Sequence, residues 1–193
     1  VVESGRGFRE SMPPMIPFTR IAVVLLLATL TPVAGQDQEE TTAQIRPPFG
    51  VYWGLPQENL EKSLEAVQAR IIERKTVNDR KALVVEGLIH PRLLRAVFYF
   101  TEEGLAEVEL QYGAEEWDGA QYANYFDTMR RSLERKYGTS KLITRSKKNE
   151  GAVMTTLIGY QWAQLGCLLQ IYYFSADQGA DSFRLVSVHY RGI

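Results

Sequence analysis

The sequence predicts an α+β fold, in which two α-then-β units form a curved antiparallel sheet with two helices packed on one face. Three observations predict it. Strand-like segments fall in two groups, and each group follows a helical pattern, as in α+β rather than doubly wound parallel proteins. The stretch Asp118–Gly138, DGAQYANYFDTMRRSLERKYG, reads as an amphipathic helix with both ends written in. In LAEVELQY, Ala106, Val108, Leu110 and Tyr112 alternate with Glu107, Glu109 and Gln111. That alternation describes an antiparallel strand with one apolar face and one solvated face.

The bulk numbers suit one domain with a real core: 193 residues, 45% hydrophobic, 23% charged, formal charge −1. A balance so near neutral argues against a nucleic-acid binder, whose affinity comes largely from neutralising phosphates. With one cysteine, Cys167, no internal disulfide can form. Cys167 lies in the apolar run GCLLQIYYF, which predicts a buried rather than a reactive thiol.

Residues 1–35 read as a signal peptide with an upstream extension. Arg20 precedes the apolar run Ile21–Leu30, which is too short to span a bilayer comfortably, and Thr31–Gly35 supplies the small residues of a cleavage site. Cleavage is expected after Ala34 or Gly35; the alternative is an uncleaved anchor. Residues 36–48, polar and ending in Pro47-Pro48, read as a flexible leader. The domain is then 49–193, with pseudo-repeats at 49–113 and 114–193.

A first helix is expected with Pro56 at its first position and with Leu60, Leu64, Val67 and Ile71 as its apolar stripe. Strands are expected at Ala82–His90, Arg95–Thr101 and Leu105–Tyr112. The second helix has Tyr122, Tyr125, Phe126, Met129, Leu133 and Tyr137 at steps of three and four. Asp118 suits its N-cap, with Gln121 completing a capping box, and Gly138 its C′ position. Strands follow at Lys141–Lys148 (charged, edge-like), Ala152–Ala163, Cys167–Ser175 and Ser182–Arg191, with Ala176–Asp181 as a loop. The order is thus helix, three strands, helix, four strands.

The run Phe49-Gly50-Val51-Tyr52-Trp53-Gly54, followed by Pro56-Gln57-Glu58, resembles the G-x-x-W-G-x-S-P-E-E opening of small exported bacterial proteins of unassigned function. Phe100-Thr101-Glu102-Glu103-Gly104-Leu105 and Lys136-Tyr137-Gly138 fit the hairpin and helix end of the same proteins. The order of elements is similar to helix-plus-sheet envelope modules such as the β-lactamase-inhibitor-protein fold. The resemblance covers roughly residues 49–191. It implies a fold and a periplasmic or extracellular location, and no catalytic residues.

Charge is polarised along the chain. Seven acidic residues and no basic one lie between Glu102 and Asp118. Between Arg130 and Lys148 the basic residues are Arg130, Arg131, Arg135, Lys136, Lys141, Arg145, Lys147 and Lys148, against Glu134 alone. These eight are the candidate interaction residues, facing an envelope protein or an anionic surface; the alternative is a solvated surface whose charges follow the helix dipole. Glu107 and Glu109 share a strand face but lack a calcium-loop pattern, so they are expected to be solvated. With a turn near Gln178–Gly179, Cys167 would face Tyr190 and Leu168 would face His189, so no Cys–His pair is expected. His90, before Pro91, reads as a turn residue. Trp53, Trp117 and Trp162 fall at element boundaries, as core plugs or as a binding platform. No cofactor, metal site or catalytic residue is predicted. The expected function is an exported, non-enzymatic interaction or scaffold module of the bacterial envelope, with a small-ligand or carbohydrate binder and an envelope hydrolase as alternatives.

Overall fold

The computed structural model describes residues 42–193. The expected signal segment and the start of the leader lie outside the described residues. A short 3-10 turn, Pro48–Gly50, leads into α1, Gln57–Ala66. Four strands follow: β1 (Arg70–Val77), β2 (Arg80–Glu86), β3 (Leu93–Thr101) and β4 (Gly104–Tyr112). After α2 (Gly119–Tyr137) come β5 (Lys141–Glu150), β6 (Val153–Gln164), β7 (Cys167–Gln178) and β8 (Asp181–Gly192). All eight strands form a single sheet in the order β1-β2-β3-β4-β8-β7-β6-β5.

This corrects the expected fold class. Strand makes up 52% of the described residues and helix 21%, so the fold is β-rich, one eight-stranded antiparallel sheet with two helices, and not two α-then-β units. The physical reason lies between Val67 and Val77. Residues assigned from the sequence to the end of the first helix leave it. Gln68 takes a left-handed conformation (φ 59°), and the Ala69 N–H donates back to the Leu64 carbonyl at 2.9 Å, which closes α1 after ten residues. Val67 is left 62% exposed, and Ile71 joins a strand. Asn78 and Asp79, both at positive φ (48° and 61°), then make the two-residue turn into β2. Pro56 is the N-cap of α1 rather than its first residue.

The second helix follows its sequence closely. Gln121 N–H donates to Asp118 Oδ1 and Asp118 N–H to Gln121 Oε1, each at 2.8 Å, which completes the capping box. Gly138 (φ 82°) ends the helix with its N–H on the Glu134 carbonyl.

Both helices lie on the same sheet face. Leu60 and Leu64 of α1 and Tyr122, Phe126 and Tyr137 of α2 share one core with Val85, Phe98, Val108, Leu169, Ile171, Val186 and Val188. Ile45, upstream of the 3-10 turn, is 1% exposed in this core, and its N–H donates to Gln164 Oε1. Trp162 donates to the Gly138 carbonyl at 2.7 Å and Trp53 to Cys167 Sγ at 3.1 Å, so both plug gaps on the helix side. Trp117 packs edge-on against Tyr122 at 5.2 Å. The outer strands β1 and β5 are rich in Lys, Arg and Glu, and each carries a register irregularity; both devices discourage pairing with another chain.

Gly104 joins the loop before α1 to the sheet. Its φ is 106°, and a Cβ there would lie 2.4 Å from the Gly54 carbonyl oxygen. Around it, Leu105 exchanges backbone bonds with Leu55 and Gly54, both at 2.9 Å. Gly166 has φ 77° and open space around it. Gly104→Ala should therefore cost more than about 3 kcal/mol, whereas Gly166→Ala should cost only about 1 kcal/mol of left-handed strain. Urea unfolding of both variants checks this; equal losses would show that the approach of Gly54 is not the constraint.

Candidate functional site

Because side chains alternate along a strand, the face without helices is set by register. Glu107, Glu109 and Gln111 of β4 lie on it, since Val108 and Leu110 are in the helix-side core. β8 pairs with β4 as Glu109↔His189 and Gln111↔Ser187, so Ser187 and His189 join them. β3 pairs as Tyr99↔Glu107 and Arg95↔Gln111, which adds Tyr99 and Arg95. Across β7, Gln170 faces His189 and Tyr172 faces Ser187.

These side chains form two hydrogen-bonded chains. In the first, Arg80 Nη1 donates to Glu107 Oε2 at 2.7 Å. His189 Nδ1–H donates to Glu107 Oε1 at 3.0 Å, and His189 Nε2 accepts from the Ser187 hydroxyl at 3.1 Å. The tautomer follows from the partners: a carboxylate can only accept, so Nδ1 carries the proton. In the second, Glu109 accepts from Tyr99 Oη at 2.7 Å and from Gln111 Nε2 at 2.6 Å, while Arg95 Nε donates to Gln111 Oε1 at 2.6 Å. The chains touch where the Arg80 guanidinium lies 4.8 Å over the Tyr99 ring. Tyr172 meets His189 edge-on at 5.4 Å and lies across Gly159, where a Cβ would come within 2.6 Å of the ring.

Glu107 (8% exposed) and Glu109 (9%) are thus buried, not solvated as the alternation suggested. Long side chains from three neighbouring strands close over them, and single-strand periodicity carries no record of those neighbours. Burial pushes the Glu107 carboxyl upward, but the hydrogen bonds from His189 and Arg80, with the Arg80 charge, outweigh it and hold the group at about 2. Burial, and the bond to Glu109, push the Tyr99 phenol far above its ordinary range.

The Ser187–His189–Glu107 connectivity is that of nucleophile, base and orienting acid. Acyl transfer also needs N–H donors aimed at a developing oxyanion. Here β8 is paired on both sides, with β4 and β7, and its amides are committed to those ladders. Ser187 is itself buried. The array can order the centre of the face; it presents no open reaction site. Cys167 and His189 lie on opposite faces. The register is Cys167↔Gly192 and Gln170↔His189, two residues from the expected pairing, because the strands run on to Gln178 and Asp181 and the turn is Gly179–Ala180. Among the described residues, no three of His, Cys, Asp and Glu converge as a metal site requires.

The eight basic residues divide. Arg130 donates to Asp127 and Glu134, both at 2.8 Å, and lies 5.1 Å over the Tyr160 ring; Arg131 pairs with Asp127. Arg145 donates to the Tyr160 hydroxyl at 3.1 Å, so Arg130 and Arg145 meet around one ring. Lys136 lies 5.0 Å over the Tyr137 ring, and Arg135 is exposed on α2. On β5, register places Lys147 with Arg145 on the helix side, and Lys141 and Lys148 on the helix-free face. His90 is exposed and follows β2.

Lys148 shares a row with Phe183, through Thr155 and Ala176. Phe183 is 52% exposed and packs on Phe174 at 6.0 Å. In the next row stand Leu157, Phe174 and Leu185. One end of the helix-free face is therefore aromatic and apolar with a cation at its edge. Phe183 lies in the expected last strand, but which face it takes and its contact with Phe174 depend on the β7–β8 register, which single-strand periodicity does not give. Among the described residues, no helix is long and apolar enough to cross a membrane. Comparison with family models, with curated proteins and with solved structures finds no match.

The depressed Glu107 carboxyl makes stability depend on acid. The folded value is about 2 and the ordinary value 4.5. The contribution is complete above about 4.5 and is lost as pH falls from there to about 2, on the order of 3 kcal/mol at most. Urea unfolding between pH 6 and 2.5 should show this slope in the wild type and a shallower one in Glu107→Gln; parallel slopes would remove Glu107 as its source.

Proposed function

We propose that this chain is an exported, non-enzymatic interaction module that binds a partner protein through the helix-free face of its sheet. The observation that carries the reading is Phe183, half exposed on Phe174 at the end of a face whose centre is a satisfied polar network. Exposed aromatics anchored beside ordered polar groups suit protein contacts, because rigid rings lose little freedom on binding. Lys148 and Lys141 on the same face would favour acidic groups on the partner. Export, and a periplasmic or extracellular setting, rest on the Arg20–Gly35 pattern and on the resemblance carried by residues 49–58.

The test is capture from envelope extract at low and moderate salt, read by mass spectrometry. The wild type should recover one protein near stoichiometry, and Phe183→Ser should lose most of it while keeping its thermal unfolding temperature. Replacing Lys141 and Lys148, the two lysines of β5 on the helix-free face, together with glutamate should weaken capture mainly at low salt. Full recovery by Phe183→Ser would overturn the assignment of the face.

A further inference from the structure

We infer that the cleft between α2 and the sheet, on the side opposite the proposed partner face, binds a small, neutral, largely apolar molecule that carries one hydrogen-bond acceptor. The cleft is about 280 Å³, close to the lower end of small-molecule sites and suited to a single ring with one substituent. Met129, Leu133 and Val188 give it an apolar wall. Tyr112 and Tyr190 line it too, and neither hydroxyl has a hydrogen-bond partner among the described residues. Tyr112 is only 3% exposed. Yet no described polar side-chain atom is both sealed from solvent and unpaired, so these hydroxyls reach the space of the cleft.

A buried phenol ordinarily finds a partner, because leaving its O–H unpaired is costly. Tyr112, buried, and Tyr190, half-buried, offer two O–H donors to an acceptor that enters the cleft. They stay protonated: burial pushes both well above the ordinary range, each is raised further by a neighbouring phenol, and Tyr125 at the same cleft is pushed up to about 12. No lysine or arginine lines the cleft. The exposed His90 is the one basic side chain on the lining; a carboxylate among the tyrosines would lose its water without a lysine or arginine to pair with, so the site favours a neutral acceptor such as a carbonyl. This reading is independent of the partner face and can fail without it.

The probes are acetophenone (one ring, one carbonyl) and benzoate (the same ring with a charge), titrated into the full chain and followed by methyl NMR at Met129, Leu133 and Val188. Acetophenone should shift these signals saturably and benzoate should not. Tyr112→Phe/Tyr190→Phe keeps both rings and should weaken acetophenone about tenfold, the loss of two hydrogen bonds. Ser132→Trp, at an exposed α2 position lining the cleft, should fill it and abolish the shifts. It decides the matter if the double variant does not fold. The inference is overturned by an absence of saturable shifts, by benzoate binding as well as acetophenone, or by unchanged binding in Ser132→Trp.

Discussion

Everything in this domain depends on the pairing of β4 with β8. It joins β1–β4 to β5–β8, and it is the only strand pair here between elements far apart in sequence among the described residues. The six pairs from Glu107↔Arg191 to Tyr112↔Val186 place Val108 and Leu110 beside Val188 on one face. On the other they place Glu107 and Glu109 beside His189. Without that seam, each half would be a four-stranded meander with a bare edge, and neither could bury its apolar face against the same core.

The two faces meet different demands. The helix side is closed by dispersion and area: Phe98, Leu169, Ile171 and Val186 are essentially sealed from solvent. The helix-free side buries carboxylates with no layer above them. It does so by tiling, with Arg80, Tyr99, Tyr172 and His189 lying over their neighbours, and no sealed side-chain donor or acceptor among the described residues is left without a partner. A face built this way is stiff without being apolar, so its rim can carry an exposed phenylalanine without a large sticky surface around it.

What could be read from the sequence is what is encoded locally. The capping box of α2, its stripe and its glycine end are all contained within Asp118–Gly138. The β3–β4 hairpin and the charged edge strand β5 are local too. The missed strand β1 is also local, but its start hides behind Gln68, which holds a left-handed angle that glycine usually holds, and the turn residues Asn78-Asp79 at its end sit inside a run of charges. Register is a different matter. The β7–β8 pairing lies two residues from the expected one because the turn is centred at Gly179–Ala180, one residue further on, and only pairing reveals that. The burial of Glu107 is least legible of all, since it needs Arg80, 27 residues away, and His189, 82 residues away.

That long-range polar array bears on why the sheet has one register. An apolar strand slipped against β4 by two residues would still put hydrophobic side chains on the helix side. The Glu107–His189 bond would not survive, because a two-residue step moves the imidazole by roughly 7 Å. Glu107 would then keep one cationic partner instead of two hydrogen-bonded ones, and a buried carboxylate that loses a partner is costly. The hydrophobic core thus favours any even register, and the buried Arg80–Glu107–His189–Ser187 chain singles out one. The rows that end in Phe183 and Lys148 are set by the β5–β8 hairpins themselves, so what the Glu107 carboxylate fixes is where that whole half of the outer face lies against β4.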